Sequence, residues 1–385
     1  MLGTAEWDAP IATNQHYVAR ELAGAAQVTF VESLGLRRPT LRRADVVRMA
    51  SRVRKAVARH ASSEPAHRPR PEGTEVVSPL VVPVHRAPTR LVNTALLRRA
   101  TAKWLASPRP RVLWTFTPVT YGLEDAADVV VYHCVDLLAT FPGVDGVAVA
   151  RGERRIAPRT AVAIATSRAV EDHLRAVGFP RITLLPNVAD VSVFRDASRP
   201  AAERQRAALF AGNLTVHKLD LAILEAVAAA VRGHGELLLA GPLAAGGGSF
   251  DEELRRLEDL GARHVGMLTP ARLAELAGTC AVGLIPYALN DYTRGVSPLK
   301  CFEYLSSGLG VVSTALPAVD ELARTNPHVV VADRADFAGR VLDLLQPVPD
   351  RTVHERMASA EAHGWEDRGR SLRELLDSVL AGAAA

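Results

Sequence analysis

The chain has 385 residues, of which 48% are hydrophobic and 23% charged, and carries a net charge of +4. That balance is ordinary for a globular protein and excludes a fibrous or disordered one; the length exceeds what one hydrophobic core usually serves, so two domains are expected. No apolar run reaches 18 residues, and Glu6 and Asp8 stand where a signal peptide would have a basic start and an apolar stretch, so a cytoplasmic location is expected. The three cysteines, Cys134, Cys280 and Cys301, lie far apart among apolar neighbours. They fit packed thiols rather than a disulfide framework or a zinc site.

Only Met1 and Leu2 precede the turn GTAEWD, so the first strand is very short or the chain begins late. Trp7, Asp8, Asn14 and His16 follow it, at the mouth of that strand, as weak candidates to meet an acceptor. From Arg37 to Arg70 basic residues far outnumber Asp45 and Glu64, with Arg42, Arg43, Arg48, Arg52, Arg54, Lys55 and Arg59 in one predicted helix. The plain reading is a solvated face; the functional alternative is peripheral contact with an anionic membrane at its inner face, since each such charge adds about 1 kcal/mol of attraction. No aromatic interleaving or base-reading motif accompanies the charge, so nucleic acid is not an expected partner.

Further along, short β-branched runs alternate with helical patterns. Strands are predicted at Val28 to Val31, Val76 to Pro83, Val112 to Thr117, Val129 to Tyr132, Ala161 to Thr166 and Ile182 to Leu185, and then at Ala207 to Ala211, Glu236 to Ala240, His264 to Leu268, Ala281 to Pro286, Gly310 to Thr314 and Val329 to Ala332. Such alternation predicts parallel sheets covered by helices on both faces, an α/β fold of two doubly wound, Rossmann-like domains. Pro186 and Asn187 stop a strand and open a polar stretch, placing a hinge near 187 to 204 between an N-terminal domain, 1–190, and a C-terminal domain, 191–350. Ala61 to Gly73 and Gly246 to Gly248 read as loops.

The strongest local signal runs from Ala281 to Thr314, as strand, loop, helix, glycine stop and strand. Ser297 followed by Pro298 predicts a capped helix start, and Gly308 its end. A helix opening at the carboxyl edge of a parallel sheet aims free amides at the crevice where such folds bind ligands, and a diphosphate suits that position. Arg294 and Lys300 flank it as cations; Glu303, one turn in, is an acceptor suited to ribose hydroxyls. Read alone, the segment is equally an ordinary capped helix. Lys218, in the loop of AGNLTVHK with Asn213 and His217, is by itself a surface lysine; the fold would bring it to the same crevice. In VVVYHCVD, His133 and Asp136 are placed just beyond a buried strand, as candidates to face a donor or, on the plain reading, as a satisfied core histidine and a helix cap.

On these residues the chain resembles the retaining GT-B glycosyltransferases of family 4, and among them bacterial sugar transferases of envelope polysaccharides and secondary metabolites. The carriers are FVESLGLRRPT at Phe30 to Thr40, VVYHCVD at Val130 to Asp136, Ser167, LLPNVADVSVF at Leu184 to Phe194, FAGNL with Lys218, and SPLKCFEYLSSGLGVVST. The resemblance implies two domains facing each other across a cleft, and a helical segment, 351–385, returning to the N-terminal domain. It implies that Lys218 and the amides of Ser297, Pro298, Leu299 and Lys300 hold the donor diphosphate, that Glu303 takes the ribose, that the stretch around Val265 and Leu268 holds the base through its backbone, and that His133 lies near the transferred sugar. Two positions depart from the family: Gly295 replaces a frequent glutamate and Asn213 a frequent arginine, so Arg294 is a candidate substitute cation.

The expected activity is transfer of a sugar from a nucleotide diphosphate sugar, UDP-linked, to a hydroxyl acceptor, with His133, Asp136, Lys218 and Arg294 in catalytic roles. No cofactor is expected, and no metal, since the chain has no Asp-x-Asp pair, no phosphate loop ending in Lys-Ser or Lys-Thr and no nucleophile elbow. The rival readings are a nucleotide-sugar epimerase of the same fold and a non-catalytic nucleotide-sugar binding protein.

Overall fold

The computed structural model describes residues 1–9, 11–35, 68–82, 87–244 and 249–384. The predicted arginine-rich helix, most of the 61–73 loop and the 246–248 loop lie outside the described residues. The chain forms two compact units, Met1–Leu185 with Gly369–Ala385, and Pro186–Arg368. The first division therefore falls at the strand stop, ahead of the expected 190. The returning segment is also shorter than the expected 351–385. Helix Asp350–Ala360 packs within the second unit against helix Lys300–Ser306, burying Val353 and Ala360, which leaves only the chain from Gly369 onward to the first unit.

In the first unit, strands β1 (Val28–Val31), β2 (Thr74–Val77), β3 (Val112–Thr115), β4 (Val129–Cys134), β5 (Val162–Ala165) and β6 (Ile182–Leu184) pair in parallel. Leu2 bridges Val31 on one side and Thr115 on the other, its N–H donating to Trp114 O (2.8 Å) and its carbonyl accepting from Phe116 N–H (2.9 Å). The very short first strand is thus a single residue. Counting it, the order β2-β1-Leu2-β3-β4-β5-β6 contains the doubly wound arrangement. Every residue of β4 and β5 is buried, as central parallel strands covered on both faces require.

The turn after Leu2 is closed rather than open. Trp7 is buried against Phe30, with ring centroids 5.0 Å apart. His16 Nδ1 accepts from Thr13 N–H (3.0 Å), so its Nε2 carries the proton and donates to Glu6 O (3.0 Å). Asp8 Oδ1 accepts from Arg68 N–H (3.3 Å). Trp7 and His16, expected at the mouth of the strand to meet an acceptor, instead hold the loop in place.

In the second unit β7 (Ala207–Ala211), β8 (Glu236–Ala240), β9 (Ala262–His264), β10 (Val282–Ile285), β11 (Gly310–Ser313) and β12 (Val329–Val331) form one parallel sheet in the order β12-β11-β10-β7-β8-β9. This is again the doubly wound order, with its switch point between β7 and β10. Two strands sit earlier than predicted: β2 ends at Val77, and β9 ends at His264, leaving Val265 to Leu268 in a loop turned by Gly266 in the left-handed region (φ 76°).

At the switch point β7 and β10 are in register only at Ala208 with Val282 and Leu209 with Gly283. Tyr304 fills the opening beyond. Its Oη accepts from Ala211 N–H (2.8 Å) and reaches Leu284 O (3.5 Å), and a Cβ on Gly283 would lie 2.2 Å from its ring. The helix that carries Tyr304 spans Lys300–Ser306 and has Leu299 at its cap position. The expected Ser297 cap is therefore corrected: Ser297 Oγ accepts from Asn187 N–H (3.3 Å) and its carbonyl from Asn187 Nδ2 (2.9 Å). Gly308 (φ 81°) does stop the helix, with Leu309 N–H donating to Tyr304 O (3.0 Å).

Gly283→Ala should destabilise the second unit by about 1–3 kcal/mol through overpacking, and Tyr304→Phe by a similar amount, because buried Ala211 N–H loses its acceptor; urea unfolding of each variant measures both, and an unchanged midpoint for Gly283→Ala would refute the wedge. Burial lowers the His16 pKa below its ordinary value, so its contribution to stability is fully present above about pH 6.5 and is lost as pH falls through the folded value. The shift in melting midpoint between pH 7 and pH 5 should accordingly be smaller in His16→Gln than in the parent chain.

Candidate functional site

The site is built from the loops that leave β7 and β10. After β7 the chain turns through Gly212 and Asn213 to Asp220, which caps helix Leu221–Val231 by accepting from Ile223 N–H (3.2 Å) and binds Arg334 Nη2 with its other oxygen (2.7 Å). The loop after β10 is laced to this one: Asp220 N–H donates to Pro286 O (2.9 Å), Ala288 N–H to Lys218 O (2.9 Å), and Asn290 Nδ2 to His217 O (2.9 Å).

Within this lacing Lys218 is half-buried, its Nζ 4.4 Å from the centroid of the Tyr287 ring. A cation over an aromatic face gains about 0.5–2 kcal/mol, so the ammonium is held at the switch point rather than trailing in solvent. Arg294 stands exposed on the neighbouring turn, which Asn290 and Thr293 lock by exchanging bonds: Thr293 N–H donates to Asn290 Oδ1 (3.0 Å) and Asn290 N–H to Thr293 Oγ1 (3.0 Å). Among the described residues its guanidinium forms no ion pair.

Three glycines bring the adjoining loops to the same edge. Gly212 N–H donates to Ala240 O (2.9 Å) and Gly241 N–H to Gly266 O (2.8 Å). A Cβ on Gly241, whose φ is 139°, would lie 1.9 Å from Gly212 O. Only glycine permits this approach. Asn213, Val265 and Leu268, all half-buried, therefore share the edge with Lys218. His264 Nε2 donates to Gly241 O (2.9 Å) and steadies the crossing, a role with no local sequence signal.

On the far side of the opening, Ser297 and Pro298 are buried and Leu299 and Lys300 half-buried. Among the described residues the amides of Leu299 and Lys300 donate to no backbone carbonyl, the usual state of a helix start. Lys300 Nζ and Glu303 Oε2 pair at 2.5 Å, with side chains 22% and 12% exposed. The two residues expected to serve different parts of a ligand are thus bonded to each other.

Sequence reading missed the residues that anchor this helix at its other end. Arg204 Nη2 donates to Ser307 O (2.6 Å) and Ser198 Oγ (2.8 Å), and Arg356 Nη1 to Gly308 O (3.2 Å). Burial, together with the neighbouring Arg356 charge, draws the Arg204 guanidinium down to about 10. Both lie far from the helix in sequence, so no local pattern marks them.

In the first unit, His133 lies inside β4 rather than beyond it, 3% exposed. Its Nδ1 accepts from Trp114 Nε1–H (3.4 Å) and its ring stacks on Phe116 (4.8 Å). Asp136 lies past the strand, half-buried, its carbonyl accepting from Leu138 N–H (2.9 Å). Ser167 caps helix Arg168–Val177 by accepting from Val170 N–H (3.3 Å). The three cysteines are buried, and burial pushes Cys280 and Cys301 up to about 12. Among the described residues, no helix is long and apolar enough to cross a membrane.

Residues 205–347, most of the second unit, match the family profile described as "Glycosyl transferases group 1". Over 153 residues the chain is 30% identical to TuaH of Bacillus subtilis (strain 168), whose name assigns it to teichuronic acid biosynthesis as a glycosyltransferase; the match spans 38% of this chain and 37% of that protein's length. Solved structures align over nearly the whole chain. Sucrose-phosphate synthase from Thermosynechococcus elongatus is 17% identical with a TM-score of 0.69, covering 99% of this chain and 98% of its own. Anabaena HepE in complex with UDP and glucose is 14% identical with a TM-score of 0.59, covering 91% and 99%. WaaG, a glycosyltransferase involved in lipopolysaccharide biosynthesis, is 15% identical with a TM-score of 0.57, covering 90% and 99%. The chain therefore has the GT-B fold of two Rossmann-like α/β domains, and its second domain carries the group 1 glycosyltransferase pattern.

Proposed function

We propose that the chain is a glycosyltransferase of the family 4 type, which takes a sugar from a UDP-linked donor held by the second unit and transfers it, with retention and without a metal, to a hydroxyl acceptor in polysaccharide, glycolipid or natural-product synthesis. One observation carries this reading. Lys218 stands on the loop after β7, that loop is bonded to the one after β10, and Leu299, Lys300 and Glu303 follow the β10 loop at the start of the next helix, so all four belong to the two strands that flank the switch point. The choice of uridine is supported by the solved structures of Anabaena HepE with UDP and UDP-glucose.

On this reading Lys218, Arg294 and the segment Ser297 to Lys300 stabilise the charge that develops on the departing diphosphate. Glu303 exchanges Lys300 for the ribose hydroxyls, which turns the lysine toward phosphate. The loops of Asn213 and of Val265 and Leu268 enclose the nucleoside. The bond from the anomeric carbon to the phosphate oxygen breaks, the acceptor oxygen bonds to the same face of that carbon, and the acceptor proton passes to the diphosphate. Asp220, the carboxylate nearest in sequence to Lys218, is engaged by its helix cap and by Arg334, which favours the phosphate as base. His133 and Asp136, at the carboxyl end of β4, are the first unit's candidate contributions.

Lys218→Ala and Glu303→Ala should each lower transfer about a hundredfold or more, the usual scale for one lost transition-state contact; full activity in either variant would remove that residue from the site. Calorimetry against a panel of nucleoside diphosphates should select UDP, and NMR of the product should show the anomeric configuration of the donor. An isomerised donor without a new glycoside would replace this reading by an epimerase, and tight UDP binding without turnover on any acceptor by a binding protein.

A further inference from the structure

The first unit holds a second feature, independent of the nucleotide loops. A shallow recess of about 60 Å³, partly open to solvent, is lined by Arg90, Arg151 and Arg155 around the Pro118–Tyr121 loop that leaves the carboxyl end of β3. Its floor is fixed by close packing: a Cβ on Gly152, in helix Gly146–Ile156, would lie 2.6 Å from Pro118 O. Carboxyl edges of open α/β sheets are where such folds take ligands.

The charges around the recess do not balance. Arg155 is neutralised, its Nε donating to the fully buried Glu124 (2.5 Å) and its Nη2 to Asp125 (3.1 Å), while Asp125 also meets Arg159 (3.3 Å). Thr120 Oγ1 occupies the other oxygen of Glu124 (2.5 Å). These nearby carboxylates are therefore already engaged, and Arg90 and Arg151 form no ion pair among the described residues. Arg151 also stands one helical turn before Arg155, a like-charge spacing that opposes folding. Two arginines, each carrying a planar fork of donors, line one concavity without a paired carboxylate among the described residues, and such a pair suits a multi-oxygen anion.

We propose that this recess is a phosphoryl-binding site, and that the group it takes belongs to the acceptor. The second clause rests on the glycosyltransferase reading; the first does not. The test is calorimetry on the full chain with inorganic phosphate, glycerol phosphate and glycerol, in the parent and in Arg90→Gln and Arg151→Gln, with UDP titrated separately. Glycerol phosphate should bind saturably, glycerol should not, and each substitution should weaken the phosphate ester tenfold or more while leaving UDP affinity within twofold. Arg90→Lys and Arg151→Lys, which keep the charge but lose the fork, should fall between; melting midpoints equal to the parent's confirm folding. Tighter binding of the ester than of inorganic phosphate supports an acceptor-borne group, and equal binding overturns that clause. Absence of saturable binding by either anion, or unchanged affinity in both glutamine variants, overturns the site. Failure of the donor reading would instead show as loss of UDP binding in every protein, with the anion measurements unaffected.

Discussion

The carboxyl edge of the second sheet depends on one phenol. Strands β7 and β10 part after two registered pairs, and an opening between parallel strands exposes backbone donors to an apolar interior. Tyr304 resolves this by lying in the gap, accepting from Ala211 N–H and reaching Leu284 O, at a point where Gly283 has no side chain to exclude it. Burial holds the phenol well above its ordinary pKa, so it stays a neutral hydroxyl able to accept and donate. The residue before it in the same helix is Glu303, and the helix begins at Lys300. Fixing the ring in the gap therefore fixes the carboxylate and the free amides beside it.

The same helix is held electrostatically from both ends, though not in the same sense. Arg204 and Arg356 sit at its carbonyl end, where cations complement the helix dipole; Arg204 is tolerable in a desolvated place because its guanidinium finds carbonyl and hydroxyl acceptors, and Arg356 donates to Gly308 O. Lys300 sits at the opposite end, where a cation opposes the dipole. Glu303 offsets that, at 2.5 Å. An anion at the amides of Leu299 and Lys300 would offset it as well, so on the proposed reading a diphosphate and Glu303 are alternatives for one charge.

Twelve strands and the two-domain organisation were legible because buried parallel strands read as unbroken β-branched runs, a pattern that survives without any knowledge of neighbours. The errors share one cause: a contact distant in sequence overruled a local pattern. Ser297 and Pro298 have the chemistry of a helix cap, yet Asn187 engages both the hydroxyl and the carbonyl of the serine. Val265 to Leu268 looks like strand, but Gly266 turns to receive the amide of Gly241. Asp350 to Ala360 reads as part of the returning tail, and its packing on Lys300–Ser306 decides otherwise. Arg204 and Arg356 were invisible for the same reason.

The candidates of the first unit illustrate the limit from the other side. Histidine and tryptophan attract attention because they can do chemistry, but they also pack well. Trp7, His16 and Phe30 form one buried ring cluster, and Trp114, His133 and Phe116 form another. Their ring nitrogens hold loops and neighbouring rings. Arg90 and Arg151 carry no local signal, since a lone arginine reads as surface; the fold shows that these two share a recess with Arg155. Imidazole can be satisfied by two partners and sealed away, as at His16, whereas the guanidiniums of Arg90 and Arg151 stay at the rim of their recess with part of their surface in solvent.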